Sequence, residues 1–250
     1  MEKALLITPS EADSLLPGPR AQARRRPPLP AGSAVTGYTT LVIGSEFCQN
    51  QVPSAAALNK LARNFPGIKL SLATSILTDS GLRRWEDLFR ALAGRRLVGE
   101  VIVNDWGLFP VLKKTGPFKL SAGRLLAREL TGTDDRWASG FVKEHGLSAA
   151  EADEPAQAAA AARLGLEISW HSQLSFKAVT TFCPFEKHFK SRCALSCAGE
   201  LRPLANRLVP FPLLLSEKAY FSPAGKSGRL KTPWRKVTTL NFLIHSRKAG

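Results

Sequence analysis

The chain has 250 residues, 44% of them hydrophobic, and carries 35 Lys and Arg against 20 Asp and Glu, a net charge of +15. A chain of that length and apolar content can bury a sizeable core, which excludes a disordered or low-complexity class. No stretch approaches the ~20 apolar residues of a membrane span, so no transmembrane helix is predicted.

Residues 1–36 read as a flexible lead-in. Pro17, Pro19, Pro27, Pro28 and Pro30 surround the triplet Arg24-Arg25-Arg26, and no hydrophobic period runs through them. Met1–Thr8 holds only the short apolar stretch Ala4–Ile7, with acidic residues following, which is not the form of a secretory signal. The expected compartment is therefore the cytoplasm, where a reducing environment keeps thiols free for metals.

Order begins at Tyr38. Thr39–Gly44 is a short β-branched run ending in glycine, the form of a strand buried on both faces, and Cys48 falls in the loop beyond it. Pro53-Ser54 open a predicted helix over 55–64, closed by Pro66-Gly67. A strand over 68–74 and a helix over 82–93 follow, the latter with Trp85, Leu88, Phe89 and Leu92 on one face. Val98–Val103 is a third strand, Leu108–Lys113 a short helix, and Phe118–Gly123 a fourth strand.

Such alternation predicts an α/β fold with a parallel sheet, a complete or partial (β/α) barrel. A Rossmann-like sheet is disfavoured, because no glycine-rich phosphate turn follows the first strand. Residues 124–150 give a short helix and a turn at Thr133-Asp134-Asp135, but no fifth strand. An alanine-rich helix is expected over 150–164, interrupted by Pro155, then a strand over 165–171 and irregular or extended chain over 176–182. Thr239–His245 is strand-like. The expected organisation is a lead-in at 1–36, a barrel domain with the metal site at 37–200, and a basic C-terminal extension at 201–250.

That extension holds ten basic residues (Arg202, Arg207, Lys218, Lys226, Arg229, Lys231, Arg235, Lys236, Arg247, Lys248) against Glu217 alone. RNA or another polyanion is one partner it suggests, and a solvated surface is the plain alternative.

The chain's four cysteines are its most pointed feature. Cys183, Cys193 and Cys197 form C-x9-C-x3-C in a polar loop, and Cys48 stands far upstream. Four soft thiolates are the set that a cubane iron–sulfur cluster takes. Structural zinc usually takes two short Cys knuckles, although His188 between the cysteines would suit it, and buried free thiols are the third reading. Lys187, Lys190 and Arg192 would offset thiolate charge. At the predicted strand ends, Asn104, Asp105 and Arg124 are candidates for the barrel mouth. Asp105 also suits a helix cap, and Arg124 a pairing with it.

These residues bear a resemblance. Gly44-Ser45-Glu46-Phe47-Cys48, Val101–Leu108 with its Asn104-Asp105-Trp106-Gly107 turn, Leu120–Leu126 and His171–Cys183 with Cys193 and Cys197 resemble, in order, segments of the peptidase U32 (collagenase-like) family. The likeness spans roughly Tyr38 to Cys197 and is nearest to short members that act in ubiquinone biosynthesis. It implies a (β/α)-barrel-like fold and a [4Fe-4S] cluster held by Cys48, Cys183, Cys193 and Cys197. It implies oxygen-independent hydroxylation, of a ubiquinone precursor or of a base in RNA, as part of a heterodimer with a second U32-type subunit. Older family members carry a peptidase label. The sequence offers proteolysis no G-x-S-x-G and no H-E-x-x-H.

Overall fold

The structure is a computed structural model and describes residues 1–16, 35–189, 193–205, 207–224, 233–240 and 242. The Arg24–Arg26 triplet, Lys190, Arg192, Lys226, Arg229, Lys231, Arg247, Lys248 and most of the expected 239–245 strand lie outside the described residues.

Eight parallel strands close into a barrel, as the strand–helix alternation predicts. They are β1 (Glu2–Ile7), β2 (Thr40–Gly44), β3 (Lys69–Ala73), β4 (Glu100–Val103), β5 (Lys119–Ala122), β6 (Leu147–Ala152), β7 (Glu167–His171) and, much later, β12 (Arg235–Thr239). Around them lie α1 (Pro9–Ser14), α2 (Ala55–Asn64), α3 (Asp79–Leu92), α4 (Leu108–Thr115), α5 (Arg124–Thr131), α6 (Asp135–His145) and α7 (Pro155–Arg163). Between β7 and β12 the chain forms a separate antiparallel sheet of β8 (Leu174–Val179), β9 (Arg202–Leu204), β10 (Leu213–Ser216) and β11 (Ala219–Pro223), in the order β8-β11-β10-β9.

The expected boundaries need correction. The barrel closes through β1, which pairs with both β2 and β12, so the segments set aside as lead-in and extension each supply a barrel strand. β1 escapes a sequence reading because its apolar run, Ala4–Ile7, follows two charged residues, has one β-branched residue and leads into a Pro/Arg-rich stretch. In the barrel Ala4, Leu5 and Ile7 are buried. β12 is masked by charge: Arg235 lies at 1% exposure inside the barrel. β6 is the strand absent from the reading of 124–150. Its Leu-Ser-Ala-Ala-Glu-Ala has helix-forming composition, but small residues suit a strand pressed under α5 and α7. Pro155 opens α7 at its first turn rather than interrupting a helix.

The main core lies between strands and helices, where Leu41, Ile43, Leu72 and Val101 meet Leu58, Leu61, Trp85 and Phe89. Inside the barrel, Ala4, Leu6, Val42, Ala73, Ile102 and Val237 form an apolar layer. Below it the filling is ionic. Arg235 donates to both oxygens of Glu100 (2.5 and 3.0 Å), to Glu151 (3.0 Å) and to Ser169 (3.0 Å), and Ser71 and Ser121 also donate to Glu100.

Burial pushes the Glu100 pKa up, but the Arg235 hydrogen bonds and charge, with those of Ser121 and Ser71, hold it below its ordinary 4.5. An acid depressed in the folded state stabilises the fold fully above its unfolded pKa and loses that contribution as pH falls through the folded value. Unfolding free energy is therefore expected to decline below about pH 4.5, and Glu100→Gln to flatten part of that decline in acid titrations. Identical acid profiles for the two proteins would contradict this.

β2 ends at Gly44, whose φ of 131° is rare for any residue with a side chain, and a Cβ there would lie 2.1 Å from the Ala73 carbonyl oxygen. Gly44→Ala is expected to cost about 2–3 kcal/mol and to displace the loop bearing Cys48. A denaturant midpoint matching the wild type would contradict it.

Candidate functional site

Parallel strands place all their C-terminal ends at one rim, and the loops there carry the site. Cys48 leaves β2 on a loop that Ser45 shapes: its Oγ accepts from the backbone N–H of Phe47 (3.0 Å) and of Cys48 (2.9 Å). Cys183, Cys193 and Cys197 lie in the long connection between β8 and β9 of the added sheet. Cys183 sits in a tight turn, where its N–H donates to the His188 carbonyl at 2.8 Å and the Lys187 N–H returns to the Cys183 carbonyl at 2.8 Å. Glu186 fastens this turn to the other two cysteines, since its carboxylate accepts from Ala194 N–H (3.1 Å) and Ser196 N–H (2.9 Å). Those backbone bonds hold the Glu186 pKa down at about 2.

Asn50 bridges the remote cysteine to the loop. It stands two residues after Cys48, and its side-chain amide donates to Cys193 Sγ at 3.4 Å across 143 positions of sequence. Arg84 orients that amide by donating to Asn50 Oδ1 (3.1 Å) and to the Gln49 carbonyl (3.2 Å). The Glu186 N–H approaches Cys183 Sγ at 3.4 Å. Cys197 feels the charge of all three other cysteines, so the four sulfurs share one electrostatic neighbourhood.

All four are free of disulfides, with Cys48, Cys183 and Cys197 buried and Cys193 partly exposed. Burial, then the Glu217 carboxylate, pushes the Cys48 thiol up to about 12, with Lys218 and the Asn50 N–H acting against them. Burial and Glu217 likewise push Cys197 well above its ordinary value. Buried thiolates of this kind need a cation to exist at neutral pH, and N–H···S bonds of the kind seen here are what metal-bound thiolates receive. The donor set fits a metal–thiolate centre. A smaller set also exists, because Glu186, His188 and Cys193 offer ligand atoms within 4.8 Å of one another. The cation acting on Cys48 is Lys218, from the β10–β11 turn.

Beside the Cys48 loop the mouth holds a narrow cleft lined by Phe47, Phe221 and Phe242 and also by Glu46, Glu217 and Arg124. Arg124 is 2% exposed and fully engaged. Its guanidinium donates to Glu46 (2.9 and 2.6 Å) and Asp153 (3.3 Å), and its backbone N–H to the other Glu46 oxygen at 2.9 Å. Asp105 is not its partner. Asp105 accepts from Leu77 N–H and Gly107 N–H, both at 2.8 Å, which fixes the loops after β3 and β4. Asn104 is structural too: it donates to the Thr74 carbonyl (2.8 Å) and accepts from Leu125 N–H (2.9 Å) at the start of α5. A Cβ at Gly123 would lie 2.1 Å from the Asn104 amide, so glycine is required there. Deeper in, His171 Nε2 meets Glu151. Burial holds His171 neutral, down at about 3, and lifts Glu151 to about 7, so one proton shared between them satisfies both.

Ser45, Asn50, Glu186 and Glu217 carry no sequence signature, and proximity to the cysteines is the only signal that would have flagged the first three. No helix among the described residues is long and apolar enough to cross a membrane.

No family model matches the sequence, and no curated protein matches it. Among solved structures, one titled "The Structure of the U32 Peptidase Mk0906" superposes with a TM-score of 0.50 at 14% identity, covering 96% of this chain and 92% of that one. The chain thus has the barrel fold of a U32 peptidase.

Proposed function

We propose that the chain is an iron–sulfur protein whose [4Fe-4S] cluster is held by Cys48, Cys183, Cys193 and Cys197. In this reading it serves in the cytoplasm as one subunit of an oxygen-independent hydroxylase of ubiquinone biosynthesis, beside a second U32-type subunit. The observation that supports the reading is Asn50, which stands two residues after Cys48 and donates its side-chain amide to Cys193 Sγ, so that the loop of the remote cysteine meets the loop of the others. The sequence resemblance to the ubiquinone-biosynthesis protein UbiV supplies the pathway. A bound cluster would supply one-electron transfer. The protein's own residues hold the sulfurs, donate N–H bonds to them from Asn50 and Glu186, and keep water away by burial.

A knockout compared with and without oxygen tests this. Anaerobic cells are expected to accumulate an under-hydroxylated quinone precursor, and aerated cells to make the quinone normally. Unchanged anaerobic quinone with loss of a hydroxylated base would move the assignment to RNA. The RNA reading has lost part of its charge argument, since Arg235 and Lys218 are buried within the fold.

A second reading rests on Glu186, His188 and Cys193, where a carboxylate, an imidazole paired with it at 3.1 Å and a thiol lie together. That trio suits thiol proteolysis. Peptidase activity abolished by Cys193→Ala but surviving Cys183→Ala and chelation would favour it over the cluster.

A further inference from the structure

We infer that Lys218 is the counter-charge of the four-cysteine centre, held there by the β10–β11 turn, which is tied to both cysteine-bearing loops. The inference deepens the proposed ligand set and rests on it. Glu217 and Lys218 are the two residues between Ser216 and Ala219, which pair across the hairpin. Hairpins of that length give positive φ to Gly, Asn or Asp, yet Glu217 holds a φ of 53°. A strained residue of this kind persists where the surroundings use its turn. Each residue of the turn reaches a different loop. Glu217 Oε2 accepts from Ser45 Oγ, the oxygen that receives the Phe47 and Cys48 N–H groups. Lys218 Nζ donates to the Thr181 carbonyl at 2.8 Å, and its own carbonyl accepts from Thr180 N–H at 2.9 Å, just before Cys183.

Lys218 is 7% exposed, yet it forms no ion pair among the described residues, and its one side-chain acceptor is the Thr181 carbonyl. A lysine is seldom buried without an anion, because its charge is costly in a low dielectric. Glu217 is turned to Ser45 instead. The anion at hand is the cysteine set, since Cys48 lies in the field of Lys218. Four thiolates outweigh a dication, so the loaded centre is negative whichever metal it holds, and a buried ammonium stabilises it. Glu217 works the other way, because its carboxylate acts on both Cys48 and Cys197 and opposes negative charge there. The turn thus sets one charge on each side of the balance.

Cadmium titration of the metal-free, reduced full chain tests this, read by thiolate-to-metal absorbance, because a soft dication binds thiolates whatever the native metal. Lys218→Met is expected to weaken Cd²⁺ binding about tenfold, the scale of one charge acting on another inside a protein. Glu217→Gln, which keeps an acceptor for Ser45, should tighten it. The Lys218→Met effect should shrink in a Cys48→Ala background. Metal-free Lys218→Met should melt no lower than the wild type, since it removes a buried unpaired charge and keeps the backbone bond to Thr180. A merely structural lysine would do the reverse, lowering the melting temperature and leaving Cd²⁺ affinity unchanged. Unchanged affinity in Lys218→Met, an effect undiminished by Cys48→Ala, or weaker binding in Glu217→Gln would overturn the inference. Iron and sulfide are measured on the same variants after anaerobic purification. A Lys218→Met effect on Cd²⁺ in a chain that takes up no cluster supports this inference while the cluster assignment falls. Where a cluster loads, its midpoint potential should fall in Lys218→Met and rise in Glu217→Gln. A loaded cluster whose potential ignores Lys218→Met would overturn the inference and leave the cluster assignment standing.

Discussion

Arg124→Ala is expected to remove about 3–5 kcal/mol of stability, the cost of leaving a buried charge cluster without its cation. Glu46 and Asp153 are 2% and 1% exposed at their side chains and form no other ion pair among the described residues. The damage would not stay local. Glu46 stands two residues before Cys48 and is held by both the backbone and the guanidinium of Arg124, while Asp153 also accepts from Phe176 N–H at 2.7 Å. Arg124 therefore joins the β2 loop, the start of α5 and the first strand of the added sheet. The guanidinium also stacks over Phe47 at 4.9 Å, so alanine loses packing as well as charge. The control is a triple variant, Arg124→Met with Glu46→Gln and Asp153→Asn, which leaves no buried charge and should recover much of the loss. Urea unfolding reads both. A shift under about 1 kcal/mol for Arg124→Ala would mean that the cluster contributes little.

Each single Cys→Ala change at positions 48, 183, 193 and 197 is expected to abolish cluster loading, with Cys48→Ala as complete in effect as the others. Sequence distance makes Cys48 the informative case, because three ligands in one loop would hold a metal without it. Cys48 is buried and lies in the electrostatic field of Cys193 and Cys197. Stability should respond differently from loading. Removing one small buried thiol costs little packing, so the apo variants should still fold with midpoints near that of the apo wild type. Iron retained in full by Cys48→Ala would mean that the fourth ligand lies elsewhere.

What could be read from the sequence follows from how local the signals are. β2 and β4 are β-branched runs, β3 alternates Leu70 and Leu72 with polar residues, and α3 carries a clear apolar face, so pattern and burial agree there. β1, β6 and β12 are strands only because the barrel demands them: one opens on two charged residues beside a Pro/Arg-rich stretch, one is alanine-rich and one is charged. β12 shows the point most clearly, since Arg235 looks like part of a solvated basic tail until Glu100 and Glu151 surround it. The cysteines stand out by count and spacing, and the rim brings Cys48 into the electrostatic neighbourhood of the others. Asn50, Glu186 and Glu217 do not stand out, since their roles depend on which loops meet at the rim. The Asp105–Arg124 pairing expected from strand ends fails for the same reason: Glu46 and Asp153 sit nearer to Arg124.

Elemental analysis of the full chain, purified without oxygen, bears most directly on the four-cysteine centre. About four irons and four acid-labile sulfides per chain, lost together on any Cys→Ala change, are the predicted result. One zinc per chain without sulfide, held by Glu186, His188 and Cys193 and indifferent to Cys48→Ala, would contradict it.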